Sequence, residues 1–198
     1  MTVRILTVCT GNICRSPLAT QLLRQRLSAD YFTVESAGTE AHEDAPMDPT
    51  SRKIALRFGI ADLDAHVARQ LTNRMLAEAD LVLALDRDHR RRIAELRPAS
   101  IRRTYTLREF ARLAQSVSDP HLAFAQFSEE GPVRAALAEV SARRGTRPLP
   151  EDPTELDVID PYRQPNWVYE KSTDEITAAV VTIADYFARA VAQQAIVP

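Results

Sequence analysis

The chain lacks the residues that would place it in several large classes. Its 198 residues include only two cysteines, Cys9 and Cys14, too few for the disulfide framework of a small secreted domain. Their four intervening residues match neither a zinc knuckle nor a thioredoxin-type pair. No apolar run approaches the roughly 20 residues that cross a bilayer, and no charged start followed by a long apolar stretch marks an export signal. A cytoplasmic protein is expected. Net charge is nearly absent, with 25 Lys plus Arg against 27 Asp plus Glu, so there is no overall attraction to nucleic acid or to an anionic membrane surface. An anionic ligand must be held by a local site. Lysine is scarce as well: Lys53 and Lys171 are the only two.

What is present describes a single domain of 1–198 with 45% hydrophobic residues, enough for one core. Val3 to Val8 is β-branched and apolar apart from Arg4, as expected of a central parallel strand covered on both faces. Ser16-Pro17 reads as an N-cap followed by proline at the first helical position, with the helix running to about Ser28. Strands are expected at Tyr31 to Ser36, Leu81 to Leu85 and Arg103 to Thr106, with a loop from Ala37 to Pro49. Helices are expected from Asp48-Pro49 to Gly59, at Leu71 to Ala79, Arg87 to Leu96, Leu107 to Leu113, and along an amphipathic stretch from Asn166 to Val197. Alternating strands and helices imply an α/β three-layer sandwich whose ligand sits at the carboxyl ends of its strands. Residues 114–158, rich in proline and holding one helix from Val133 to Arg143, interrupt the alternation and read as an inserted, mostly helical segment or lid.

The informative string is Val8-Cys9-Thr10-Gly11-Asn12-Ile13-Cys14-Arg15-Ser16-Pro17, where a buried strand turns into a helix. A tight loop of this length, with Gly11 relieving crowding, can aim successive N–H groups inward as an anion nest, and the helix start adds its positive end. Arg15 supplies a planar fork for two oxygens of a tetrahedral anion. In such settings a cysteine pKa falls to roughly 3.5 to 7.5, so Cys9 is expected to be a thiolate nucleophile at the floor of a phosphate cradle. In-line attack on phosphorus follows.

This string resembles the signature loop of the low-molecular-weight protein tyrosine phosphatases. Ser36-Ala37-Gly38-Thr39, His66 to Leu71, Ala79 to Leu83 and Asp160-Pro161-Tyr162 fall in that family's order. The resemblance implies a four-stranded parallel flavodoxin-like sheet, no metal and no organic cofactor, and hydrolysis of phosphotyrosine through a phosphocysteine on Cys9. It implies that Arg15 binds the phosphoryl oxygens and that Asp160 is the general acid, in a reaction whose leaving oxygen needs a proton. Thr10, Gly11, Asn12, Ile13 and Cys14 then line the substrate, and Ser16 hydrogen-bonds the thiolate. Asn12, Ser36 and His66 support the loop. Cys14 is placed to capture an oxidised Cys9 as a disulfide.

Departures bear on the substrate. His42 stands where the family's recognition loop usually carries an aromatic residue, and it makes a thinner wall for a phosphotyrosine ring opposite Tyr162. Arg163 replaces a second tyrosine and favours an acidic substrate flank, whereas Glu40, Glu43, Asp44 and Asp48 read as a solvated acidic loop. The expected partners are a phosphotyrosine protein, with a cognate tyrosine kinase behind it, and phosphate or another oxyanion. Two other readings use the same residues: arsenate reduction with an external thiol, since no cysteine follows Cys14, and a catalytically weak phosphopeptide-binding module.

Overall fold

The computed structural model describes residues 2–60, 65–119, 121–122, 130–146 and 148–194. Four parallel strands, β1 (Val3–Cys9), β2 (Phe32–Gly38), β3 (Leu81–Ala84) and β4 (Thr104–Thr106), form one sheet in the order β2-β1-β3-β4. The doubly wound order puts β1 at the centre, paired with β2 from Val3↔Phe32 to Cys9↔Gly38 and with β3 from Ile5↔Leu81 to Val8↔Ala84. The chain reverses direction across the sheet at β1, the topological switch point at which such sheets bind ligands.

Period-two alternation divides β1 between two layers. Val3, Ile5 and Cys9 face a large core shared with α1 (Arg15–Arg26), α5 (Leu107–Ala114) and the long α7 (Asn166–Gln194). Leu6 and Val8 face a smaller core with α3 (Asn73–Glu78) and α4 (Arg87–Leu96), through Leu76 and Ile93. Phe187 of α7 joins the layers of the larger core, with its ring 4.9 Å from Phe32 and 6.0 Å from Phe110.

Helix starts follow local chemistry. At α2 (Pro49–Arg57) the Asp48 carboxylate accepts from Thr50 and Ser51 N–H at 3.0 Å, with Pro49 at the first helical position. Thr106 and Glu109 form a capping box at α5, and the Thr106 hydroxyl also donates to the Leu156 carbonyl. β2 runs two residues further than the sequence pattern gives, because Ala37 and Gly38 continue to pair with β1. The end of the expected C-terminal helix, 195–197, lies outside the described residues.

Of the interrupting segment 114–158, the described helix α6 (Pro132–Arg143) packs on α5 and α7. Arg134 pairs with Asp80 just ahead of β3, and Tyr186 of α7 donates to the Ala136 carbonyl. Helix α6 therefore stands toward the amino ends of the strands. The chain then returns along α5 to a short 3-10 turn, Pro153–Leu156, and Val158 N–H donates to Leu85 O just beyond β3.

Candidate active site

The loop between β1 and α1 is shaped by what its carbonyls bond. Cys9 O accepts from Thr39 N–H, Thr10 O from Glu40, Gly11 O from His42, Ile13 O from Asp48 and Cys14 O from Leu18. Asn12 O accepts from His66 Nε2 at 2.7 Å. Six successive carbonyls are thus turned outward to acceptor duty. In a planar trans peptide the following N–H points the opposite way, so the amides of this turn face a common centre. Among the described residues, the N–H groups of Gly11 to Arg15 donate to no protein acceptor.

Asn12 makes the turn possible, with φ of +55°, a conformation Asn tolerates better than most residues. Its carboxamide holds both sides: Nδ2 donates to Ser16 Oγ at 2.9 Å and Oδ1 accepts from Arg69 N–H at 3.0 Å. Arg69 Nε in turn donates to the Ser36 carbonyl at 2.8 Å. Ser36 is thus linked to the loop through its main chain and Arg69, a residue to which the sequence reading assigned no role. Burial, reinforced by Arg69 and Arg24, lowers the His66 pKa against the pull of the Asn12 carbonyl. His66 is therefore a neutral imidazole with its Nε2 proton given to the loop.

Two glycines admit close approaches. A Cβ on Gly38 would sit 2.4 Å from Thr10 O, and one on Gly11 would sit 2.7 Å from His42 Cδ2.

Ser16 is not the N-cap. α1 begins at Arg15 with Cys14 in the cap position and no side chain bonded to its first amides. The Ser16 hydroxyl instead lies 3.0 Å from Cys9 Sγ and 3.5 Å from the Ala37 carbonyl, while its oxygen accepts from Asn12 Nδ2, an arrangement in which it can donate to the sulfur. Cys9 is buried, 2% exposed, but it lines a cavity of about 200 Å³ together with Thr10, Gly11, Ile13, Cys14, Arg15, Glu40, His42, Asp160 and Tyr162. Wider cavities between α5 and α7 contain no such nucleophile.

Arg15 is 4% exposed and gripped from three directions. Nη1 donates to Asp86 Oδ2 at 3.0 Å and Val158 O at 3.2 Å, and Nη2 meets Asp160 Oδ2 at 2.9 Å. Asp86 lies at the carboxyl end of β3 and also caps α4 through His89 N–H. Burial works to raise its pKa, but contact with His89 and Arg15 wins and holds it down at about 2. His89 Nδ1 lies 2.9 Å from Asp86 Oδ1, off the line of a good hydrogen bond, and its Nε2 meets Thr10 Oγ1 at 2.8 Å. Asp86 and His89 thus bridge the two ends of the loop. Sequence reading missed both, although an Asp-x-x-His just after a buried strand of a parallel sheet is a usable signal.

At the mouth, the His42 and Tyr162 rings stand 5.5 Å apart and tilted by 47°, and Arg163 stacks behind Tyr162 at 5.0 Å. Asp160 is held by its own turn, with Oδ1 accepting from Tyr162 N–H at 3.2 Å. Of the acidic run read as solvated, Glu40 lines the pocket and pairs with Arg92, and Asp48 caps a helix. Cys14 packs against Ile54 and Tyr169, and burial pushes its thiol up to about 12 despite a hydrogen bond with Ser51. Among the described residues no three His, Cys, Asp or Glu gather as a metal site, and no helix is long and apolar enough to cross a membrane.

Residues 4–143 match the family model for low molecular weight phosphotyrosine protein phosphatase. The chain is 38% identical over 117 residues to a probable low molecular weight protein-tyrosine-phosphatase, EpsP, of Ralstonia nicotianae, covering 59% of this chain and 77% of the relative. It is 42% identical over 94 residues to Wzb, a low molecular weight protein-tyrosine-phosphatase of Escherichia coli, covering 48% of this chain and 62% of that protein. Among solved structures, the YwlE arginine phosphatase from Geobacillus stearothermophilus is similar with a TM-score of 0.66 at 27% identity, over 92% of this chain and 91% of that one. The Erwinia amylovora tyrosine phosphatase amsI, at 23% identity and a TM-score of 0.66 over 93% of each chain, shares the fold. Asp160 lies beyond the residues matched by the family model.

Proposed function

Because the chain belongs to the low molecular weight phosphotyrosine protein phosphatase family, we propose that it hydrolyses aryl phosphomonoesters, phosphotyrosine in proteins above all, through a phosphocysteine on Cys9. The observation that carries this reading is the outward set of loop carbonyls, which leaves inward amides, the Arg15 guanidinium and the Cys9 sulfur around one small cavity.

The phosphoryl oxygens take the loop amides and the Arg15 fork. Of the two carboxylates on Arg15, the Asp86 side chain is 21% exposed and the Asp160 side chain 52%. Asp86 is the fixed partner, and Asp160 yields its place to the substrate and turns to the leaving oxygen. Cys9 Sγ attacks phosphorus in line; as the S–P bond forms, the P–O bond breaks, and the departing phenolate takes the proton of Asp160. The Asp160 carboxylate then accepts a proton from water, whose oxygen attacks phosphorus. The P–S bond breaks and the sulfur leaves as a thiolate supported by the Ser16 hydroxyl, releasing inorganic phosphate.

A ring flanked by two aromatic walls needs about 4.5 Å to each centroid. His42 and Tyr162, now 5.5 Å apart, must therefore separate to admit phosphotyrosine. The substrate source is a protein tyrosine kinase, and a reducing compartment such as the cytoplasm suits a thiol nucleophile.

The experiment compares a phosphotyrosine peptide, a phosphoarginine peptide and arsenate as substrates for the purified protein without added metal. Aryl phosphate turnover that disappears in Cys9→Ser, with phosphate still bound, is the expected result. Turnover of phosphoarginine alone, or of arsenate with an external thiol and no ester hydrolysis, would replace this reading, and binding without turnover would leave a phosphopeptide module.

A further inference from the structure

We propose that Glu175, in the first half of α7, is the positioning residue for the proton donor, acting on Asp160 through the main chain next to it. This rests on the assignment of Asp160 given above. Glu175 Oε2 accepts the N–H of Ile159, the residue immediately before Asp160, at 2.9 Å. Its side chain is only 17% exposed, and its other oxygen lies 3.6 Å from Arg108 Nη1 of α5. Arg108 Nη1 also donates to the Asp157 carbonyl at 2.8 Å. One α5–α7 ion pair therefore grips the donor segment at two successive places.

The remaining ties of this segment lie on the sheet side. Val158 N–H donates to Leu85 O, Val158 O accepts from Arg15, and Asp157 pairs with Arg87. These fix the segment up to Val158. Beyond it, Asp160 itself meets Arg15 until substrate takes that place, and Glu175 is the anchor on the α7 side before the turn at Asp160 closes on itself through Tyr162 N–H. Packing alone does not set the position, since a cavity of about 390 Å³ lined by Arg108, Asp157, Ile159 and Glu175 lies behind the segment. Without the tether, Ile159 is free to relax toward that space and draw the carboxyl off the leaving oxygen. A shift of about 1 Å is enough to lose much of a positioned group's effect.

The tether acts in the step where the donor matters. Protonation is worth about 10² to 10⁴ in rate, and it matters most when the leaving oxygen is strongly basic. Glu175→Ala is expected to lower kcat/KM about tenfold for phenyl phosphate and a phosphotyrosine peptide, but less than about threefold for dinitrophenyl phosphate, so that dependence on leaving-group basicity steepens. Inhibition by inorganic phosphate should stay within about twofold, because the cradle is untouched. Glu175→Gln keeps an acceptor for Ile159 N–H and should restore the normal dependence. Glu175→Asp keeps the charge but falls one methylene short and should behave like alanine. In an Asp160→Ala background, Glu175→Ala should add no further loss on poor leaving groups.

An equal loss for good and poor leaving groups, or none, would overturn the proposal, as would failure of Glu175→Gln to rescue. Should Glu175→Ala not fold, the Gln and Asp variants decide by the same readout. If Asp160→Ala itself leaves the leaving-group dependence unchanged, the donor assignment is what has failed.

Discussion

Gly38 and Gly11 tolerate a methyl group to very different degrees, and the difference separates folding from binding. A Cβ on Gly38 meets the backbone at Thr10 O and Ala41 Cα, whereas one on Gly11 meets the movable ring of His42. Gly38→Ala should cost about 3 kcal/mol of stability. Gly11→Ala should cost about 1 kcal/mol and instead raise KM for aryl phosphates by displacing a pocket wall; paired denaturation and kinetic measurements check both. Asp86, held at about 2 by His89 and Arg15, contributes stability that is complete above the ordinary carboxylate range and is lost as pH falls toward 2. The shift is worth about 2 kcal/mol. Asp86→Asn should be destabilised by about that amount at neutral pH, with the gap closing in acid. His66, lowered by burial, likewise favours the fold above its ordinary range and opposes it as pH falls through its depressed value. Cys14, at about 12, holds almost no thiolate at neutral pH, so iodoacetamide should modify it only after unfolding, as peptide mapping would reveal.

At the scale of elements, β1, the phosphate loop and the body of α1 could be read from the stretch Val3 to Ser28, because their chemistry is local. The start of α1 could not, since whether Ser16 caps the helix or serves Cys9 depends on Asn12 reaching back across the turn. The donor role proposed for Asp160 comes only from the family resemblance; an Asp-Pro pair by itself reads as a turn. Arg69, Asp86, His89 and Glu175 meet Asn12, Arg15, Thr10 and Ile159 across 16 to 79 positions, contacts that no spacing rule reports; the Asp86 to His89 cap, three apart, is the local signal. The helical pattern of α7 was legible, but its register against the sheet was not. Phe187 sets that register by joining β2 and α5, and Phe187→Ala should cost 3 to 5 kcal/mol, roughly, by chemical denaturation.

For the whole molecule, the strand order fixes which end works and which end is braced. The nucleophile loop, Asp86 and the donor segment gather where the strands end, while Arg134 and the Ala136 carbonyl on α6 fasten to Asp80 and Tyr186 elsewhere. We therefore propose that α6 is a strut and not a lid. Arg134→Ala with Tyr186→Phe should lower Tm by a few degrees, at about 2 to 4 °C per kcal/mol for a chain of this size, and leave kcat/KM unchanged.

The inward amides of the loop have a cost that falls on the empty protein. With the six carbonyls of Cys9 to Cys14 already engaged, an empty cradle is a cluster of like partial charges that the single Cys9 sulfur, solvent or a guest must relieve. Any tetrahedral oxyanion, the reaction product included, is a welcome tenant. Inorganic phosphate at a hundred times its Kd should strengthen the fold by about 2.7 kcal/mol, and in a phosphate-rich medium the resting enzyme is the product-filled one, so that turnover begins with an eviction.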